Sequence, residues 1–181
     1  MLGDLDALRA VAAVLDRSAR RVLVVAGGGP FAHAVRELDG RLGLGDDAAH
    51  WMAVLAMEQY AIALSTLIPR ARLVESRSDV ERALVDGALP LLLPYRWLRD
   101  ADPLPHSWDV TSDSIAAWVA GALGAGLLVL VKPRAADAGA RDVVDPHFTH
   151  ALGAGTRAVV LGAHRVAELA GLLAEGDASS A

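Results

Sequence analysis

Apolar positions along this chain follow two periods that take turns. In residues 4–19, Leu5, Leu8, Val11 and Leu15 recur every three or four residues, which predicts a helix with Asp4 as N-cap. Residues 21–26 (RVLVVA) are an almost unbroken apolar run, the pattern of a strand covered on both faces. Gly27-Gly28-Gly29-Pro30 follows, then Phe31, Val35, Leu38 and Leu42 at helical spacing. Pro30 suits the first helical position, where its missing N–H costs nothing. Asp46 and Asp47 open a longer predicted helix that runs to about Ile68. A weak strand over residues 72–75 leads to a short helix ending at Val85, with Ser78 as cap and Glu81 placed for a capping box. Pro90 and Pro94 bracket the strand Leu91-Leu92-Leu93, and residues 95–107 read as a loop long enough to suggest function. A helix over 111–123, a strand over 127–131 and a polar loop over 132–144 come next. Asp145 and Pro146 begin a short helix, and a strand at 157–161 and a helix at 164–174 close the pattern. Strands alternating with helices predict an α/β domain whose mainly parallel sheet lies between helical layers. One domain over residues 1–175 is expected, with 176–181 a disordered tail.

Composition narrows the function classes. There is no cysteine, so disulfides, Cys-based zinc sites and thiol nucleophiles are excluded. A net charge of -5 argues against sequence-independent nucleic-acid binding, which needs a basic face. The start of the chain carries Asp4 and Asp6 where a signal peptide has its basic region. The longest uncharged run, residues 114–131, has 18 residues but is split by Gly121, Gly124 and Gly126, so a buried helix, turn and strand explain it better than a membrane span. A soluble, cytoplasmic protein with no membrane partner is expected. Of the 17 basic residues only Lys132 is a lysine.

Two segments carry candidate chemistry. Strand, three glycines and helix in that order let a phosphate approach the backbone and meet the free N–H groups of a helix start. Gly27, Gly29 and Ala32 also satisfy Gly-x-Gly-x-x-Ala, but residues 46–68 read as helix where a dinucleotide site expects its second strand ending in an acidic residue. No Gly-Lys-Ser/Thr follows, so the turn is not a Walker A loop. The second segment, residues 106–114 (HSWDVTSDS), gathers His106, Asp109, Asp113 and four hydroxyls before an apolar helix. Thr111 or Ser112 suffices as an N-cap, and the remaining groups suit magnesium binding or the orientation of a lysine. Lys132 ends the strand over 127–131, and ligands of parallel sheets bind beyond the carboxyl ends of strands. That rule puts Lys132, the glycine turn and the 106–113 loop on one edge. Asp142, Asp145, His147 and His150 form a weaker metal set without the i, i+4 histidine spacing of helical zinc sites. His50-Trp51-Met52 reads as helix core, and no Gly-x-Ser-x-Gly elbow supports hydrolase chemistry.

Together, AGGGPFAHAVRE, DDAAHWMAVLAMEQY and PHSWDVTSDSIAAWVAGALGAGLLVLVK resemble the amino-acid kinase superfamily over residues 4–175. Within it, the segments look most like the methanofuran-biosynthesis kinases acting on (aminomethyl)furanylmethyl phosphate and their relatives in methylotrophs. The resemblance implies a three-layer αβα fold, ATP with Mg²⁺, and transfer of the γ-phosphoryl group to a small phosphorylated or carboxylated metabolite in one-carbon coenzyme synthesis. It implies that Gly27, Gly28 and Gly29 cradle a phosphoryl group, that Asp113 orients lysine, and that Lys132 leads into the nucleotide loop. His106 and Asp109 join them as candidate substrate-binding residues. The chain departs from the family in three places. It carries no first strand with Lys-x-Gly-Gly-Ser, so the sheet is expected to lack a central strand. Arg134-Ala135-Ala136-Asp137 stands where the family has Val-Asp-Gly, and the closing Gly-Thr strand is missing. These departures leave open a non-catalytic nucleotide- or phosphate-binding member. A homo-oligomer, or a subunit of a hetero-oligomer, is expected in either case.

Overall fold

A computed structural model describes residues 5–133 and 143–174. Thirteen elements run in the order α1 (Leu5–Arg17), β1 (Val24–Val25), α2 (Gly29–Leu42), α3 (Asp46–Ser65), β2 (Ala71–Val74), α4 (Arg77–Val85), β3 (Leu89–Leu92), α5 (Tyr95–Ala101), α6 (Ser112–Leu123), β4 (Leu127–Lys132), α7 (Phe148–Ala151), β5 (Arg157–Gly162) and α8 (Val166–Ala174). All strand pairs are parallel, as the alternation of helix and strand predicts. Among the described residues they form two sheets, one ordered β1-β3-β2 and the other β4-β5. In the first, Val24 and Val25 register with Leu91 and Leu92, and Ala71–Val74 with Leu89–Leu92.

Side chains leave each strand on alternate faces, and each face has its own helical cover. Leu89 and Leu91 pack with Ala12 of α1, while Leu92 packs with Val80 of α4 and Ile115 and Val119 of α6. On β4, Val129 and Val131 join Val11 and Val14 of α1 and Leu169 of α8. Leu128 and Leu130 face Ala116 and Ala117 of α6 and Phe148 of α7. Helices α1 and α8 therefore cover one side and α4, α6 and α7 the other, an αβα arrangement.

Between the two sheets lies a cavity of about 1390 Å³, lined by Val24 and Val25 of β1, by β4, and by α1 and α6. The outer edge of β1 and one edge of β4 are unpaired among the described residues.

Several sequence expectations need correction. The strand over 21–26 shrinks to Val24–Val25, because a ladder needs a partner and among the described residues only β3 supplies one. Residues 95–107 are not wholly loop: Tyr95–Ala101 is helical and ends where Asp102 adopts a left-handed conformation (φ 39°). The α4 cap is Ser76 rather than Ser78, with its hydroxyl accepting from the Asp79 N–H at 3.2 Å. Of the apolar stripe on α2 only Val35 is buried; Phe31, Leu38 and Leu42 are exposed. Residues 134–142, including the degraded Val-Asp-Gly position and Asp142, lie outside the described residues, as do Asp4 and the tail.

Candidate functional site

The carboxyl ends of β1 and β4 open onto one mouth of the cavity. After β1 the chain turns through Gly27, Gly28 and Gly29 into α2, with Pro30 in the first turn and no side chain capping the helix start. Each glycine has a packing reason as well. A Cβ on Gly28 would stand 2.4 Å from the Ala32 Cβ, and one on Gly27 would stand 3.2 Å from the Ser112 hydroxyl. Gly29 has φ +54° and lies against the Tyr60 ring, a backbone that favours glycine. The three glycines thus bring the turn close to α3 and α6 and leave its amides uncapped. The Tyr60 hydroxyl is buried without a hydrogen-bond partner, and burial holds its pKa above the usual tyrosine value.

Across the mouth, α6 begins at Thr111, whose hydroxyl accepts from the Asp113 N–H. Asp113 is buried, and both its oxygens accept from Lys132 Nζ, at 2.6 and 2.5 Å. The strand end and the helix start that carry these two residues are therefore fixed to one another. A buried charge pair is favourable only while both partners stay in place.

Asp145 holds this helix start from the other side. Its carboxylate accepts from the Thr111 N–H and hydroxyl and from the Ser114 N–H and hydroxyl, at 2.5 to 3.0 Å. The sequence marks Asp145 as the start of a short helix and as a metal candidate. What it does is satisfy orphan donors at the helix N-terminus and so set the position of Asp113. His147 and His150 stack at 5.4 Å, and among the described residues no three metal-binding side chains converge.

His106 and Asp109 are not brought to the mouth with the others. His106 is held between Asp47 at 2.6 Å (Nδ1) and Asp102 at 2.9 Å (Nε2), and it stacks on His50 at 4.2 Å. Its hydrogen bond to Asp47, then that to Asp102, raises its pKa. Both ring nitrogens are thus engaged in tying α3 to the end of α5. His50, buried beneath it, has a pKa lowered to about 4, first by desolvation and then by the charge of His106. Asp109 is exposed, and its carbonyl accepts from the His147 N–H at 3.2 Å. His50, assigned to the core by its apolar neighbours, also lines the cavity.

The charge of the cavity is the opposite of the protein's. Among its described lining residues Asp113 is the one carboxylate, whereas Arg20, Arg21, Arg36, Lys132 and Arg157 are cationic. The net charge of the whole chain is -5.

Comparison with known proteins places the chain in a family. A family model described as the amino acid kinase family matches residues 1–133. The chain belongs to that family. The match runs from α1 to the residue after Lys132, so the glycine turn, Asp113 and Lys132 all fall inside the amino acid kinase region. A [5-(aminomethyl)furan-3-yl]methyl phosphate kinase of Methanocaldococcus jannaschii is 26% identical over 112 residues, which is 62% of this chain and 51% of that protein. The chain thus spans about half the length of the curated relative it matches. No helix among the described residues is long and apolar enough to cross a membrane.

Proposed function

We propose that this amino acid kinase family member is an ATP-dependent phosphotransferase acting on a small phosphorylated or carboxylated metabolite, in methanofuran or related one-carbon coenzyme synthesis. The observation that carries the reading is the ion pair of half-buried Lys132 with buried Asp113 at the carboxyl end of β4, opposite an uncapped glycine turn. The lining fits a polyanion, since its one carboxylate is already neutralised by Lys132. The relative's name specifies a phosphate-bearing acceptor, which favours the phosphorylated class.

In this mechanism the glycine turn receives the acceptor phosphate or the transferring phosphoryl on backbone N–H groups, where the start of α2 adds partial positive charge. Lys132 offsets negative charge on the phosphates, and Asp113 keeps its ammonium aimed at the mouth. Catalysis comes from positioning and charge neutralisation during in-line transfer, without a covalent intermediate. ATP would sit with its phosphates toward Lys132. Mg²⁺ would be held chiefly by the phosphates it accompanies, supplying further charge neutralisation.

A second reading, a non-catalytic nucleotide-binding subunit of a homo- or hetero-oligomer, is favoured by the edges of β1 and β4 that are unpaired among the described residues. A coupled ADP-release assay with phosphate-bearing acceptors, run beside MgATP calorimetry, separates the two. Turnover supports the transferase, and binding without turnover supports the subunit. No binding at all contradicts both.

A further inference from the structure

Position Arg36 against its neighbours. It lies one helical turn beyond His33 and two beyond Gly29 on α2, so the three share a face. The guanidinium carbon stands 4.3 Å over the Trp108 ring. Its natural helical partner is Asp39, three residues on. That carboxylate is already engaged: one oxygen accepts from the Leu44 N–H at 3.0 Å, the other from Trp108 Nε1 at 2.8 Å. Asp39 therefore fixes the indole on which Arg36 rests, and among the described residues no carboxylate forms an ion pair with the guanidinium. Many other arginines here, such as Arg41, Arg72, Arg77 and Arg82, have an acidic partner. Arg36, His33, His50 and Trp108 line the glycine-turn end of the cavity, and no carboxylate lines it there except Asp113.

A guanidinium stacked on an indole keeps its N–H fork in a fixed plane, the geometry that suits two-point recognition of a carboxylate or phosphate. It lies seven residues from Gly29, roughly 10 Å along the helix at 1.5 Å per residue. We infer that the acceptor carries a second anionic group, remote from the one at the glycine turn, and that Arg36 on its Trp108 platform recognises it. This inference rests on the proposed phosphotransfer site and names the class of acceptor that site takes. Arg36 is the specificity-determining residue, and His33, one turn nearer the glycines, faces the middle of such a molecule.

The test is equilibrium binding by calorimetry with two probes, ω-phosphonohexanoate and hexylphosphonate, which share a phosphonate and chain but differ in the distal carboxylate. The expected result is at least about tenfold tighter binding of ω-phosphonohexanoate, the scale of one charge-assisted contact. In Arg36→Met, which keeps the apolar stem over the indole, the preference should fall to near unity. Affinity for hexylphosphonate and for MgATP should stay within about twofold. Equal affinity for the two probes in the unaltered protein, or a preference that survives Arg36→Met, overturns the inference while leaving the phosphotransfer reading intact. If neither phosphonate nor MgATP binds, the phosphotransfer reading falls and this inference falls with it. An unchanged thermal unfolding midpoint of the variant confirms that any loss is not misfolding.

Discussion

Strand β3 and the seam between β1 and β4 are built from similar runs of residues and end in different environments. Leu91 and Leu92 in the middle of β3 are 0% and 1% exposed, with β1 on one side and β2 on the other. Val24, Val25 and Leu127 to Val129 are only half-buried, although both of their faces have helical cover. The difference is at the edges. A strand buries its side chains fully when neighbours flank it on both sides, and at the seam a cavity takes the place of one neighbour. The seam is also where the chemistry collects: its carboxyl end holds the glycine turn, Lys132 and Asp113.

The largest effect should separate the two regions by stability. Leu91→Ala is expected to cost about 3 kcal/mol in urea denaturation, as for a fully packed leucine, and Leu128→Ala at the seam about 1 kcal/mol, because the cavity is already there. Equal costs would mean that the seam closes in solution, and the comparison would break.

Next in size is the charge pair at the end of the seam. Lys132→Met leaves Asp113 buried and unpaired, at a cost of about 2 kcal/mol. Asp113→Asn in the same chain should restore most of that stability without restoring MgATP affinity. Thermal unfolding and calorimetry on the single and double variants sharpen the claim that the pair is built for a ligand. A double variant that regains both properties would count against it.

Removing the Asp145 carboxylate tests what positions the seam's helix. Asp145→Ala should cost about 1–2 kcal/mol through lost capping of α6 and shift the Lys132 Nζ resonance by NMR. Unchanged stability would show that water replaces the carboxylate without loss.

The smallest effects concern pH, on the well-packed side of the mouth. His106 has a raised folded pKa, so its contribution is complete below about pH 6.5, the ordinary histidine value, and fades as pH rises through the folded value. His50 has a lowered folded pKa, so its contribution is complete above about pH 6.5 and is lost as pH falls toward 4. His106→Gln should therefore abolish the alkaline loss, and His50→Gln should weaken the acid loss. Unfolding midpoints across this range measure both. Identical pH profiles for all three proteins would contradict the assignment.

Much of this was legible in the sequence, and the exceptions have physical causes. The glycine turn, the Thr111 cap and the strand end at Lys132 follow from local pattern, because turns and caps are decided by neighbouring residues. The contrast between β3 and the seam is invisible there, since RVLVVA, LPLL and LLVLVK look equally apolar and only pairing tells them apart. Asp145 escaped its true role because it reaches α6 from 31 residues away. The tether of His106 to α3 is hidden in the sequence because its partner Asp47 lies 59 residues off. On α2 the stripe of Phe31, Leu38 and Leu42 predicted burial that tertiary packing does not supply.

The central claim is that Lys132, oriented by Asp113 beside the glycine turn, holds the phosphates of a nucleotide. MgATP calorimetry on the unaltered protein and on the Asp113→Asn/Lys132→Met variant tests it most directly, because that pair differs in charge placement and little in stability. The account predicts measurable binding by the former and a loss of at least about tenfold in the latter. Equal affinity in the two proteins, or no binding by the unaltered one, would contradict it.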